Sequence, residues 1–152
     1  KPLGTCGPVS LLKENLRDPF ILMNGDILTT LDFRTAYDFS TNIDSDLIII
    51  TKNLVTPFHF GNVKSEGDYI VGIEEKPNLT MEILSGIYIL KPPLFDIIPY
   101  NEKYGIDQLI IDMLSKGNKV AKYLMKDYWL DIGQIKDYEE AQQAYEEHFK
   151  KD

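Results

Sequence analysis

The sequence predicts a single mixed α/β domain over residues 1–152, with helices flanking a mainly parallel sheet and an antiparallel portion inserted in its middle. Three observations predict it. The continuous apolar runs Phe20-Ile21-Leu22-Met23 and Leu47-Ile48-Ile49-Ile50 have the length and character of strands buried on both faces. Helix-like periodicity alternates with such runs in the first and last thirds of the chain. Between them, residues 58–90 hold three strand-like stretches separated by short turn signals, and no linker or repeat divides the whole.

The elements follow in order. Val9, Leu11, Leu12 and Leu16 fall at helical spacing, and Arg17-Asp18-Pro19 ends the helix they predict, because a residue before proline is pushed out of the helical region. Phe20–Met23 is a strand that stops at Asn24-Gly25-Asp26, polar turn chemistry at its carboxyl end. A helix over 31–39 starts near Leu31 or Asp32 and places Phe33, Ala36, Tyr37 and Phe39 mostly on one side. Residues 46–51 give a second buried strand. Strands are then predicted at 58–63, 69–74 and 82–90, with Ser65-Glu66-Gly67-Asp68 as a hairpin loop and Lys76-Pro77-Asn78 as a break. A helix over 106–114, strands over 119–124 and 128–130, and a terminal helix over 135–149 complete the chain. That last helix carries Tyr138, Ala141, Tyr145 and Phe149 on one stripe, with Glu139, Glu140, Glu146 and Glu147 largely outside it.

Composition narrows the function. With 16 Lys+Arg against 24 Asp+Glu the formal charge is −8, and no basic stripe is present to release phosphate counterions, which disfavours nucleic acid as a partner. No run approaches the length of a membrane span, and the first residues lack the apolar stretch of a signal peptide. Cys6 is the only cysteine, which excludes an internal disulfide and fits a reducing, cytoplasmic setting. A phosphate-bearing small molecule would need its charge offset, and a divalent cation does that most directly.

Asp26 and Asp131 are the carboxylates placed to hold one. Each follows a strand-like run, at the edge where open α/β sheets bind ligands, although either could equally serve as a turn or capping aspartate. Magnesium takes one or two carboxylates together with substrate phosphates, so a pair suffices if the two strand ends converge. Glu74-Glu75-Lys76-Pro77 adds a cation in a loop after a strand; Lys76 could bind a phosphate or simply belong to a solvated turn.

At these residues the sequence resembles the sugar-1-phosphate nucleotidylyltransferases. The resemblance rests on Leu3-Gly4-Thr5-Cys6-Gly7-Pro8, Phe20 to Asp26, Phe60-Gly61, Glu74-Glu75-Lys76-Pro77, Ser85-Gly86-Ile87-Tyr88, and Trp129-Leu130-Asp131-Ile132-Gly133 followed by Asp137-Tyr138. Each segment is short, but together they keep the family's order across nearly the whole chain. The resemblance implies a Rossmann-like, GT-A-like fold with residues 58–90 as the sugar-binding part. It also implies transfer of a nucleotidyl group from a nucleoside triphosphate to a sugar-1-phosphate, with Mg²⁺ held by Asp26 and Asp131. Lys76 would bind the sugar phosphate and Glu75 the sugar hydroxyls. Asn24, Gly61, Ser85 and Gly86 would line the sugar, Gly7 would lie against the base, and Trp129 would pack beside Asp131. Met23 to Thr29 and Tyr128 to Gly133 are most similar to the mannose-1-phosphate guanylyltransferase-like members, which points to surface polysaccharide or glycan biosynthesis, with a homo-oligomer allowed.

The family's first strand and Gly-rich phosphate loop have no counterpart in the sequence, so the resemblance implies an amino-terminally shortened domain that is inactive alone. Ser85 stands where an asparagine is usual and Cys6 where alanine is common. From a different class, a non-catalytic sugar-phosphate-binding or assembly module is the alternative. Neither His59 nor His148 has a partner pattern for acid–base work.

Overall fold

A computed structural model of the chain describes residues 1–150. It divides into two compact units, one made of the chain up to Thr51 and from Leu84 onward, the other of Lys52–Ile83. The expected insertion at 58–90 is therefore shifted. Leu84 to Leu90 belongs to the first unit, where residues 85–90 are fully buried, and the second unit starts where the strand after Thr51 becomes exposed.

Strands β1 (Phe20–Met23), β3 (Leu47–Pro57), β6 (Asn78–Leu90) and β7 (Val120–Leu124) form a four-stranded sheet in the order β1-β6-β3-β7. β1 pairs antiparallel with β6 and β3 pairs parallel with β7, so the sheet is mixed. A separate two-stranded ribbon joins β2 (Ile27–Thr29) to β8 (Trp129–Asp131), antiparallel. Strand alternation sorts the apolar runs onto the two faces of the sheet. Leu47 and Ile49 of β3, with Tyr88 and Leu90 of β6, enter one core together with Cys6, Val9 and the buried face of α2 (Ile106–Ser115), namely Ile106, Leu109 and Met113. Ile48 and Ile50, with Ile87 and Ile89, enter the other core against Ala36 of α1 (Phe33–Asn42) and Trp129.

The helix boundaries have local causes. Asp32 caps α1, its carboxylate accepting the Arg34 and Thr35 amides at 2.9 and 3.2 Å; the bond from the Thr35 hydroxyl, and then these amides, hold the carboxyl below its usual range. The segment predicted as a helix from Val9 is instead a 3-10 helix, Gly7–Leu12, because only Val9 and Ser10 beyond Gly7 are buried while Leu11 and Leu12 remain half exposed. β1 is only partly buried, since it is one of the two edge strands of this sheet among the described residues. The terminal helix α3 (Ile135–His148) buries Ala141 and Ala144, whereas Tyr138 and Tyr145 of the expected stripe are more than half exposed. Small side chains bring α3 close to its support, and the tyrosines lie outside it.

In the second unit, β4 (Asn62–Glu66) and β5 (Tyr69–Glu74) form an antiparallel hairpin. Its turn is Gly67-Asp68, with Gly67 at φ +59°, a conformation that costs an L side chain but not glycine. The strand expected at 58–63 begins only at Asn62.

Among the described residues no helix is long and apolar enough to cross a membrane. The thiol of Cys6 is fully buried, and burial pushes its pKa up to about 12. Thiolate is the reactive form, so Cys6 is expected to resist an aromatic disulfide reagent in the native protein and to react stoichiometrically in denaturant. Rapid labelling of the folded chain would show that this core is open.

Candidate active site

The turn that follows β1 is fixed by the backbone. Asn24 donates its N–H to the Gly86 carbonyl at 2.9 Å, and the carbonyl of Asp26 accepts the Ile132 N–H at 2.8 Å. Next to it, Ile27 lies directly opposite Asp131 in the β2–β8 register. Asp26, just before β2, and Asp131, the last residue of β8, are thereby brought near each other at the level of the backbone, where paired strands keep the roughly 5 Å spacing of a sheet ladder. Both residues are exposed. Gly133 keeps the region beside Asp131 clear, since a Cβ there would sit 3.7 Å from Asp131 Oδ1 and 4.0 Å from Asp137 Oδ2. Asp137 is already engaged: its Oδ2 accepts the Gln134 N–H at 2.9 Å in the capping box that starts α3.

In the second unit, Glu75 Oε2 lies 3.2 Å from where a Cβ on Gly61 would be, so glycine at 61 lets that carboxylate rest against the backbone. The next residue, Lys76, has φ +47°, a left-handed conformation uncommon for a side-chain-bearing residue and often found where a loop is held for function. Gly61, Glu75 and Lys76 are all exposed.

A magnesium ion fits the donor chemistry of the first unit: two exposed carboxylates, Asp26 just before β2 and Asp131 at the end of β8, with phosphate and water oxygens to complete its shell. Among the described residues no cluster of three or more His, Cys, Asp or Glu side chains could hold a metal by itself. An ion here would share its coordination with a ligand, as magnesium does where it serves phosphate chemistry.

Comparison with known proteins decides the family. The family model for nucleotidyl transferase matches residues 1–148. The chain belongs to the nucleotidyl transferase family. Relatives include a probable mannose-1-phosphate guanylyltransferase 1 of Oryza sativa subsp. japonica, 28% identical over 146 residues, and the mannose-1-phosphate guanylyltransferase catalytic subunit beta of Xenopus tropicalis, 29% identical over 145. Each match covers 91% of this chain and 40% of the relative, so the chain spans well under half of their length. Among solved structures, HddC from Yersinia pseudotuberculosis complexed with GMP-PN superposes with a TM-score of 0.67 at 27% identity, covering 95% of this chain and 64% of that one. The mixed α/β architecture is that of the nucleotidyl transferases.

Two expectations for this nucleotidyl transferase chain change with the structure. Ser85 was expected to face the sugar, but it is fully buried and its hydroxyl donates to the Ile50 carbonyl at 2.8 Å. Gly7 was expected against the base. It is buried, its N–H donates to the Tyr104 carbonyl at 2.9 Å, and a Cβ on it would run into the Glu102 carbonyl. Close packing of two backbone segments explains that glycine. Asn24 keeps an exposed position, with its carboxamide against Gly86: Nδ2 is 2.9 Å from where a Cβ would be, and Gly86 has φ +76°. Trp129, expected only to pack, also donates its Nε1–H to the Ser85 carbonyl at 2.8 Å. The capping box at the start of α3 shows in the sequence only as the spacing Gln134-x-x-Asp137.

Proposed function

We propose that this chain carries the metal- and sugar-phosphate-binding residues of an enzyme that transfers a nucleotidyl group from a nucleoside triphosphate to a sugar-1-phosphate, in the making of nucleotide sugars for polysaccharide or glycan synthesis. The observation that supports the reading is that the β2–β8 pairing and the bond from Ile132 to Asp26 bring Asp26, just before β2, near Asp131, which ends β8. The guanylyltransferase relatives favour mannose-1-phosphate and a guanosine triphosphate as the substrates.

In this reaction an oxygen of the sugar phosphate attacks the α-phosphorus, the bond to the β-phosphate oxygen breaks, and pyrophosphate leaves in line. No proton abstraction from the nucleophile is needed, because a phosphate oxygen is already anionic at neutral pH. The barrier lies in bringing two anions together, so the task of the protein is placement and charge neutralisation. Mg²⁺ held by Asp26 and Asp131 supplies charge neutralisation when bound. Lys76 contributes a fixed ammonium for the sugar phosphate, Glu75 accepts hydrogen bonds from sugar hydroxyls, and the exposed carboxamide of Asn24 offers both a donor and an acceptor. The chain's net charge of −8 makes such local cations necessary.

Calorimetric titration of the chain with mannose-1-phosphate, with and without Mg²⁺, tests this. Lys76→Ala is expected to weaken binding roughly tenfold or more, the value of one charge-assisted phosphate contact. Equal affinity in the variant, and equal affinity without Mg²⁺, would overturn the assignment. Assaying pyrophosphate release across nucleoside triphosphates then separates a catalytic chain from one that only holds the sugar phosphate.

A further inference from the structure

Ser85 and Gly86 each present a backbone carbonyl to a different segment. The Gly86 carbonyl accepts from the Asn24 N–H at 2.9 Å, and the Ser85 carbonyl accepts from Trp129 Nε1 at 2.8 Å. Asn24 stands two residues before Asp26, and Trp129 two residues before Asp131. Consecutive carbonyls on β6 thus anchor both arms that carry the carboxylates. Gly86 makes this geometry accessible through its positive φ of 76°, and the hydroxyl of Ser85, buried and bonded to Ile50 on β3, fixes the dipeptide to the centre of the sheet.

We propose that Ser85 and Trp129 are positioning residues that set the spacing of the Asp26 and Asp131 carboxylates. Ser85 acts through Ile50 and its own carbonyl, and Trp129 couples the β2–β8 ribbon to the sheet. This rests on the reading of those carboxylates as a cation site. Outside that reading, it is still a claim about what holds the ribbon in place. A bond from a neighbouring side chain that orients a ligating residue typically changes metal affinity 10- to 100-fold when removed.

The test uses Trp129→Phe, which keeps an aromatic ring in the core and removes the donor, and Ser85→Ala, which removes the hydroxyl. Leu109→Ala, in the opposite core, serves as a variant that loosens packing without touching these bonds. Two quantities are measured: Mn²⁺ affinity by electron paramagnetic resonance, and hydrogen exchange of the Ile132 amide that donates to Asp26. The proposal expects Mn²⁺ to bind about tenfold more weakly to Trp129→Phe and to Ser85→Ala, with the Ile132 amide exchanging faster in both. Leu109→Ala should lower the unfolding temperature and leave Mn²⁺ affinity unchanged. If Ser85→Ala fails to fold, Trp129→Phe decides alone. Unchanged Ile132 exchange in folded Trp129→Phe overturns the positioning claim, whatever the metal does. Absence of Mn²⁺ binding by the unaltered chain would instead overturn the cation site, and the exchange measurement would still decide the positioning.

Discussion

Asp131→Asn is expected to weaken binding of Mn²⁺ or Mg²⁺ by more than about 100-fold, beyond what the loss of an outer partner usually causes, while the unfolding temperature stays within about a degree or two. The substitution is isosteric and the residue is exposed at the end of β8, so packing loses nothing. What it removes is one of the two negative charges that the β2–β8 pairing brings near each other, and a hard divalent cation with only two protein ligands cannot replace that charge with an amide at comparable affinity. Asp137 provides the matching control. Its carboxylate also flanks Gly133, yet its Oδ2 is committed to the Gln134 N–H. Asp137→Ala should therefore cost about 1 kcal/mol of stability through the lost cap and leave cation affinity nearly intact. Calorimetric titration of both variants checks the contrast. If Asp137→Ala abolished binding and Asp131→Asn did not, the cation would sit at the start of α3 and the pairing of Asp26 with Asp131 would lose its functional meaning.

Much of the fold was legible because its strongest elements are long and regularly patterned. β3 shows as a continuous apolar run, since alternate residues feed two different cores, and α2 shows as a helix because Leu109 and Met113 recur at its period. The β2–β8 ribbon was harder. Ile27–Thr29 is three residues long, too short for any period, and it exists because β8 pairs with it from the far end of the chain. The insertion of β6 between β1 and β3 is likewise a non-local fact that alternation of elements does not encode. At the site, Asp26 and Asp131 could be proposed from strand ends, but their adjacency depends on that ribbon. The bond from the Ser85 hydroxyl to the Ile50 carbonyl is also non-local, joining β6 to β3, and no local pattern around Ser85 encodes it.

Gly7→Ala is expected to destabilise the chain by roughly 1–3 kcal/mol, the usual range for forcing an extra methyl into a packed site. The position leaves nowhere for the methyl to go. A Cβ on Gly7 would collide with the backbone carbonyl of Glu102, which cannot rotate away as a side-chain tip could. Nor can the segment retreat: Cys6 and Gly7 both donate to the Tyr104 carbonyl, at 3.0 and 2.9 Å, and Tyr104 returns its N–H to Leu3 at 2.9 Å. Moving the backbone far enough to relieve the clash would stretch those bonds and loosen Cys6, Val9 and Tyr104 in the core behind them. Gly25→Ala is the comparison, because nothing lies within 4 Å of its added carbon, and it should be neutral within about 0.5 kcal/mol. Urea unfolding gives both values, and a shifted midpoint at unchanged slope identifies each as a change in stability. The measurement also separates two reasons for one glycine. A glycine needed only to admit a nucleotide base would lose ligand affinity on substitution and keep its stability. A glycine needed to let two backbones approach loses stability first, and the geometry at Glu102 and Tyr104 supplies that reason for Gly7.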